Sequence, residues 1–317
     1  MTPSPFPVVR LKPKARVQAI RHGFPWVYDN EVVTDRRTKA LTPGSLAVLE
    51  DAERRPLKLV TVNPASKIFA RVVDDDVTAH VDRAWFHARL TRALALRERL
   101  YETPHYRLVH AEADGLPGVV IDRFDDIAVI QPNAAWADLL LDDLTAALVE
   151  VTGVRHVLKN ASGRARALEG LDDTNAVLVG QAPEGPVPVP MNGAIYMADL
   201  TGGQKTGLFY DQRDNHAFAA RLAGGGRVLD VFSHVGGFAL AALAQGASQA
   251  IAVDGSQAAL DLARQGAAQM GMAAQLDTRQ GDAFDALTAM GAEGERFDVV
   301  ICDPPAFAPN KPALEAG

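Results

Sequence analysis

The stretch Arg227–Leu240, RVLDVFSHVGGFAL, limits what this 317-residue chain can fold into more than any other. A short apolar run, Val228, Leu229 and Val231, carries the acidic Asp230 near its C-terminal end. A loop with paired glycines, Gly236 and Gly237, follows, and then a helix-favouring run from Phe238 to Gln245. Strand, tight turn and helix in that order open a doubly wound α/β domain. The pattern then repeats. Gln249–Val253 reads as a second strand ending in Asp254, Gln257–Met270 as a helix, and Ala274–Arg279 as a third strand before Gly281-Asp282-Ala283. Arg296–Cys302 reads as a fourth strand and runs into Asp303-Pro304-Pro305-Ala306-Phe307.

Strand-end carboxylates identify the kind of ligand. Asp254, at the end of the second strand, can accept hydrogen bonds from both hydroxyls of a ribose. A dinucleotide site wants G-x-G-x-x-G, so that backbone can approach a pyrophosphate at a helix N-terminus. Here the turn is Phe232-Ser233-His234-Val235-Gly236-Gly237, with Phe and Ser where the close-approach glycines should stand, and Asp230 beside it would repel a pyrophosphate. S-adenosylmethionine carries no phosphate. It presents a sulfonium, an ammonium, two ribose hydroxyls and an adenine, which Asp230, Asp254, Asp282 and Asp303 suit by charge and hydrogen bonding. The residues therefore predict S-adenosylmethionine as cofactor. A carboxylate at Asp303, held by two φ-locked prolines, can orient a planar base, and Phe307 can stack on it.

Upstream, the chain changes character twice. Residues 8–74 are short apolar runs (Val8–Leu11, Val32–Val33, Leu46–Leu49, Leu57–Val62, Ile68–Val72) punctuated by Pro43-Gly44 and Asn63-Pro64, the spacing of a small β-barrel. The net charge of −7 hides an asymmetry: residues 1–72 hold 13 Lys or Arg against 6 Asp or Glu, the rest 19 against 33. A basic module on an acidic body points to a polyanion. Arg16 and Arg21 lie near Phe24, Trp26 and Tyr28, the mixture that base-stacking, phosphate-holding surfaces use. Arg16, Arg21 and Trp26 are thus candidate RNA contacts, with barrel core as the competing reading for Trp26. Asp74-Asp75-Asp76 marks a first boundary. A helix from Asp82 to Tyr101 follows, with Arg89, Arg92 and Arg99 off its apolar stripe. Strands over Arg107–Gln131, a helix about Trp136–Val151, and strands at Arg155–Lys159 and Ala176–Val179 then make an α+β module without evident chemistry.

The proline-rich Pro183–Pro190 is a second boundary, and Asn192-Gly193 beyond it is a strong hairpin signal. The polar loop Gly202–Arg213 offers Lys205, Thr206, Asp211, Gln212 and Arg213 to a ligand. Lys205, Thr206 and Arg213 would close the site, Arg213 by pairing with the methionine carboxylate. The single cysteine, Cys302, excludes an internal disulfide and a CxxC zinc site. No stretch approaches a membrane span and the N-terminus has no signal-like apolar region, so the expectation is a cytoplasmic protein without membrane partner or metal.

These motifs resemble those of the RlmI-type large-subunit ribosomal RNA methyltransferases, class I enzymes that make 5-methylcytosine. Arg21–Val27 resembles that family's PUA signature, and His110–Gly118 its central-domain motif. Gly203–Gly207 with Asp211-Gln212-Arg213, Phe232–Phe238, and Asp303-Pro304-Pro305 resemble its methyltransferase motifs. The resemblance implies a multidomain fold: a PUA-like β-barrel for RNA over residues 1–74, a small α+β domain over 75–184, and a Rossmann-like methyltransferase domain over 185–317. It also implies 23S ribosomal RNA as partner. Asp230, Phe232, Ser233 and Gly236 would line the methionine end, Asp254 the ribose, Asp282 and Ala283 the adenine, and Asp303 the acceptor base.

Such a sheet normally has seven strands, and the motifs here run only to about the fourth. The resemblance implies that the nucleophilic cysteine, which adds to C6 so that C5 can accept a methyl group, lies beyond Gly317. Cys302 precedes Asp303 on a strand, so its side chain should point the other way and be buried and inert. The sequence reading is therefore of a chain with an incomplete sheet, lacking that cysteine, prone to self-association as a homodimer through an apolar sheet edge. Two rivals stand beside it: N-methylation of an exocyclic amine of adenine or guanine through Asp-Pro-Pro-x-Phe, and a non-catalytic RNA-binding protein.

Overall fold

The structure, a computed structural model, describes residues 6–202 and 207–305. The chain forms two compact units, Met1–Ala182 and Pro183–Gly317.

The first unit carries two sheets. Strands β1 (Val8–Arg10), β2 (Trp26–Tyr28), β3 (Leu46–Glu50), β4 (Pro56–Val62) and β5 (Ile68–Asp74) form one sheet in the order β1-β3-β4-β5-β2, antiparallel except for β1 on β3. Helices α1 (Val17–Arg21) and α2 (Arg36–Lys39) lie between its strands in the chain. Its core draws on the apolar runs read from the sequence, with Val9, Leu49, Val60 and Phe69 among the buried residues, while Val8 and Val33 of those runs are exposed. The strand expected at Val32–Val33 is only a single bridge from Val32 to Leu11, because a 3-10 turn at Asp29–Glu31 takes up the preceding residues.

Helix α3 (Arg83–Leu100) starts where Asp82 accepts a hydrogen bond from the Trp85 N–H at 2.9 Å. Its buried stripe is Trp85, Phe86, Leu90, Ala93 and Arg97. Arg97 is tolerated there because Asp114 takes two of its N–H groups at 2.7 Å. Arg89 is not on a solvated face, as a polar-side reading expects. It lies 3.4 Å over the Trp85 ring and donates to Asp74, the last residue of β5. Strands β6 (His105–His110), β7 (Val119–Phe124), β8 (Ile127–Pro132), β9 (His156–Lys159) and β10 (Ala176–Val179) run β10-β9-β8-β7-β6, with only β8 and β9 parallel. The single helix expected after β8 is two, α4 (Ala135–Leu139) and α5 (Leu141–Thr152), broken where Leu140 leaves helical geometry. Trp136 of α4 stacks on Phe86, 5.8 Å between centroids. A short α6 (Arg164–Leu168) precedes β10.

The second unit opens with the hairpin of β11 (Val187–Met191) and β12 (Ala194–Ala198). Asn192 and Gly193 both have positive φ, 57° and 77°, which the two-residue turn demands and which Asn and Gly adopt at least cost. After α7 (Arg213–Ala220) come β13 (Arg227–Val231), α8 (Gly237–Ala244), β14 (Gln249–Asp254), α9 (Gln257–Gln269), β15 (Leu276–Gln280), α10 (Ala283–Ala292) and β16 (Val299–Cys302). The sheet order is β15-β14-β13-β16, all parallel. β16 is shorter than its apolar pattern suggests because Asp298 instead accepts the Arg227 N–H at 2.7 Å. The chain order reverses between β13 and β16, and ligands of doubly wound sheets bind at the strand C-termini beside that reversal.

Candidate functional site

The loop after β13 sits at that reversal. Phe232, His234 and Gly236 all have positive φ, at 63°, 50° and 79°. Each non-glycine residue held so costs about 1 kcal/mol or more, so the surroundings must fix the loop. They do so through hydrogen bonds: Ser233 N–H donates to the Val253 carbonyl at 3.0 Å, His234 N–H to Asp254 at 2.8 Å, and Gly236 N–H to the Ser233 carbonyl at 2.8 Å.

The four strand-end acids serve different tasks. Asp230 is buried beneath the loop. One carboxylate oxygen accepts from the N–H groups of Phe238 and Ala239, at 3.1 and 2.9 Å, in the first turn of α8. The other oxygen, Oδ1, is buried without a partner. Burial pushes its pKa up to about 7, against the pull of those two N–H groups, and Asp254 and Asp303 push it the same way. Asp254 is half-buried. Each of its oxygens takes one backbone N–H at 2.8 Å, from Ser256 and from His234, which leaves a lone pair on each for a diol. Asp282 caps α10 by accepting from Phe284 and Asp285 N–H, a task the sequence reading did not assign. Asp303 is exposed just past β16.

A cavity of about 770 Å³ opens over the loop. Of the expected residues, Phe232, Ser233, Asp254 and Asp303 line it, as do Asp211, Gln212, Pro304 and Pro305. Gly236 and Asp230 do not; the glycine turns the chain and the acid holds α8. Arg213 is also off the wall, and its carbonyl accepts from the Asn192 amide. A second hollow of about 450 Å³ is lined by Phe232, Asp254, Asp282 and Ala283, which brings the expected adenine pair beside the expected ribose acid. Lys205, Thr206 and Phe307 lie outside the described residues. Cys302 is exposed rather than buried: among the described residues β16 is paired only on its β13 side, and burial alternates along it.

Sequence reasoning missed His216 and His234, which also line the cavity. His216, on α7, is 4 % exposed. Its ring packs edge-on to Phe238, 4.5 Å between centroids, and against Gly237, where a Cβ would come within 2.6 Å of Nε2. The second glycine of the pair is therefore a notch for this ring. Burial pushes the His216 pKa down to about 4, against the opposing pull of Asp211, so the imidazole is neutral near pH 7. The only sequence signal was its place one turn past the polar loop.

The lining fits S-adenosylmethionine. Asp199, Asp211, Asp254 and Asp303 favour a cationic ligand, and no Lys or Arg stands among the described lining residues to meet a pyrophosphate. Ser233 Oγ and His216 Nδ1 are buried without partners, which leaves hydrogen-bonding capacity for a ligand.

In the first unit, the candidate RNA contacts are already engaged. Arg16 chelates Glu31 with two 2.8 Å bonds and lies over the rings of Phe24 and Tyr28. Arg21 pairs with the buried Asp51 at 3.2 Å, and the Trp26 indole N–H donates to Glu112 at 2.8 Å. Lys14 and Lys67, which have no acidic partner among the described residues, line an open hollow with Lys12, Arg16 and Tyr28.

Comparison with known proteins agrees with this architecture. Residues 136–314 match the family model of S-adenosylmethionine-dependent methyltransferases, and residues 9–75 that of the PUA-like domain. The ribosomal RNA large subunit methyltransferase I of Erwinia tasmaniensis is 36% identical over 308 residues, covering 95% of this chain and 76% of that protein. Its Klebsiella pneumoniae counterpart is 35% identical over 318 residues, covering 99% and 79%. In fold, the chain is similar to a candidate SAM-dependent methyltransferase from Streptococcus mutans, with a TM-score of 0.81 at 20% identity over 95% of this chain and 77% of that one. The chain belongs to the ribosomal RNA large subunit methyltransferase I family of S-adenosylmethionine-dependent methyltransferases.

Proposed function

We propose that the protein methylates C5 of a cytosine in large-subunit ribosomal RNA, and that it does so in the cytoplasm. The observation that carries this reading is the meeting, on one cavity wall, of Asp254 and Phe232 with Asp303-Pro304-Pro305. The first pair suits the cofactor, and the second suits a planar base presented to it. When bound, S-adenosylmethionine supplies a methyl group activated by a sulfonium. Asp254 would accept from its ribose hydroxyls, Asp282 and Ala283 would flank its adenine, and Phe232 and Ser233 would line its methionine end. Asp230 would act from beneath by fixing the first turn of α8. Lys205 and Thr206 belong to the polar loop that would close the site, and Phe307 would stack on the base held by Asp303. Since Arg16, Arg21 and Trp26 are engaged within their own unit, Lys14 and Lys67 are the better phosphate contacts.

C5 of cytosine accepts a methyl group only after a thiolate has added to C6. We assign that thiolate to a cysteine other than Cys302. Cys302 is off the cavity wall that Asp303 lines, as expected for neighbours on a strand. A second reading, methylation of an exocyclic amine of adenine or guanine, is favoured by the same Asp303-Pro304-Pro305 and needs no thiolate.

One experiment tests both. Large-subunit RNA is incubated with labelled cofactor and either the wild type or Cys302→Ala, and its nucleosides are separated. No labelled 5-methylcytidine from either protein is the expected result for these 317 residues, whose single cysteine is Cys302, and 5-methylcytidine from Cys302→Ala would overturn the need for a thiolate. Label in N-methylated purines would establish the second reading, and loss of 5-methylcytidine with Cys302→Ala alone would make Cys302 the nucleophile.

A further inference from the structure

The motif His110–Gly118 has no part in the cavity over the loop after β13, and its polar groups divide into two sets. Asp114 takes two N–H groups of the buried Arg97, and the Pro117 carbonyl accepts from the buried Trp136 indole at 2.9 Å, so both brace the module that carries them. Glu112 reaches out of that module. Its Oε1 accepts from the Trp26 indole at 2.8 Å and from Arg71 at 3.3 Å, on β2 and β5 of the first sheet. Ala111, just before it, is held at a φ of 48°, which a residue with a Cβ adopts only where its surroundings impose it.

Glu169, which follows α6, reaches the same arginine. Its Oε1 accepts from Arg71 at 3.0 Å and from Ser66 at 3.2 Å, and its Oε2 and carbonyl both accept from the Asn63 amide, at 2.9 and 3.0 Å. Arg166, one turn earlier, roots α6 in its own module by donating to the Pro132 carbonyl at 2.6 Å and to Asp138 at 2.9 Å. Arg71 is thus gripped twice, Nη1 by Glu112 and Nη2 by Glu169. Apolar contact accompanies the grip. Leu59 and Val73 of the first sheet share a cluster with Phe86 and Trp136, and a Cβ on Gly44 would come within 2.7 Å of Leu139.

We propose that the motif His110–Gly118 and α6 are the docking surface for the PUA-like domain of the same chain, and that Glu112 and Glu169 fix the angle at which that domain holds RNA. Apolar burial is non-directional, so it can join two bodies without setting their angle. Charge-assisted hydrogen bonds to a planar guanidinium are directional, and two carboxylates from separate elements leave it one orientation. The motif therefore aims the domain and does not itself touch RNA. The RNA-holding role rests on Lys14 and Lys67 as phosphate contacts, and the docking stands apart from it.

The test reads pose and RNA binding separately, on the full chain. Spin labels are attached through Lys39→Cys on α2 and Arg99→Cys on α3, both exposed positions, in a Cys302→Ser background, and their separation is measured by pulsed electron paramagnetic resonance. One narrow distance is expected. Glu112→Ala with Glu169→Ala should broaden it about twofold, while amide exchange in β3 and β4 and the thermal melt show that the domain itself stays folded. Glu112→Gln with Glu169→Gln keeps the acceptors for Trp26 and Asn63 and should recover part of the narrowness. An unchanged width in the alanine pair would overturn the proposal, since apolar contact alone would then set the pose. If the alanine pair fails to fold, Trp26→Phe with Asn63→Ala, which removes only donors, decides by the same width. Binding of a labelled single-stranded RNA oligonucleotide should stay within about twofold in the glutamate variants and fall about tenfold in Lys14→Glu with Lys67→Glu. An equal fall in the glutamate variants would show that the motif contacts RNA and would also overturn the proposal. RNA binding unchanged by the lysine pair would instead overturn the phosphate contacts, while the label distances still decide the docking.

Discussion

The two units treat buried charge in opposite ways. In the first, each buried ionic residue has an opposite charge at hand: Glu31 with Arg16, Asp51 with Arg21 and Arg55, Lys58 with Asp75, Arg97 with Asp114, Asp122 with Arg107, Arg166 with Asp138, and Glu169 with Arg71. In the second, Asp230 is the buried ionic residue among those described, and no cation meets it. The neutral His216 and Ser233 near it on the loop side are likewise left with unused atoms. Unused polar atoms occur in the first unit too, at Arg10 Nε, Asn133 Oδ1, Thr145 Oγ1 and Arg166 Nη2, so the two units differ in the pairing of buried charge and not in hydrogen-bond saturation. Paired charge holds the scaffold, and the unpaired acid lies beneath the loop at the C-terminal ends of the parallel sheet.

Breaking a buried ion pair should give the largest effect. Asp122 is fully buried and takes two Arg107 N–H groups at 2.8 and 3.1 Å. Asp122→Ala leaves a guanidinium without its counterion in the second sheet and should destabilise the first unit by about 3–5 kcal/mol. The three tryptophans, Trp26, Trp85 and Trp136, all lie in that unit, so urea unfolding followed by tryptophan fluorescence reads it selectively. A loss below about 1 kcal/mol would mean that Arg107 finds water and that the pairing of buried charge does not set the first unit apart from the second.

The next effect sharpens the other side of the comparison, and its sign depends on which residue is changed. Asp230 titrates near 7 in the fold and near 3.8 when unfolded. Between those values the native state holds a proton that the unfolded chain has released, so its contribution to stability falls as pH rises from about 4 to about 7. His216 titrates near 4 in the fold and near 6.5 when unfolded. There the unfolded chain binds the extra proton, so the contribution falls as pH drops from about 6.5 to about 4. Over the shared window the two slopes oppose, each by at most about 1.4 kcal/mol per pH unit. Amide exchange in β13 and β14 should therefore be nearly flat in the wild type from pH 4.5 to 6.5, once corrected for intrinsic rates. Asp230→Asn should make protection rise with pH, and His216→Phe should make it fall. The same slope in both variants would show that neither group is as buried and unpaired as its contacts indicate.

How much of this was legible in the sequence follows the same divide. Period, turn chemistry and strand-end acids give β13 to β16, their helices and the Asn192-Gly193 hairpin, because each depends on residues a few positions apart. Asp254, Phe232 and Ser233 were legible for the same reason: they stand at the end of a strand or in the turn after one. His216 was not, because its place on the cavity wall depends on a notch at Gly237, twenty-one residues on, and on a helix whose pattern gives no hint of which side meets the loop. Arg16, Arg21 and Trp26, the candidate RNA contacts, are engaged in a way that the sequence does not show. Cations among aromatics read as an open surface, and their partners Glu31, Asp51 and Glu112 come from elsewhere in the chain.

The smallest effect tests whether burial, and not pairing, makes the difference. Arg264 Nη1 meets Asp261 at 2.7 Å on α9, the distance at which Arg97 meets Asp114. The contact distances match, but Arg97 makes two such bonds to Arg264's one, and the side chains of the α9 pair are 50% and 52% exposed, those of the other 7% and 10%. Water already solvates Arg264 and Asp261, so their contact replaces hydration that the unfolded chain also enjoys, and salt screens what remains. Arg264→Ala should change stability by less than about 0.5 kcal/mol, with no added salt dependence, by calorimetry on the full chain. A loss approaching that of a buried pair would mean that contact distance alone sets the energy, and the contrast between paired and unpaired buried charge would lose its physical basis.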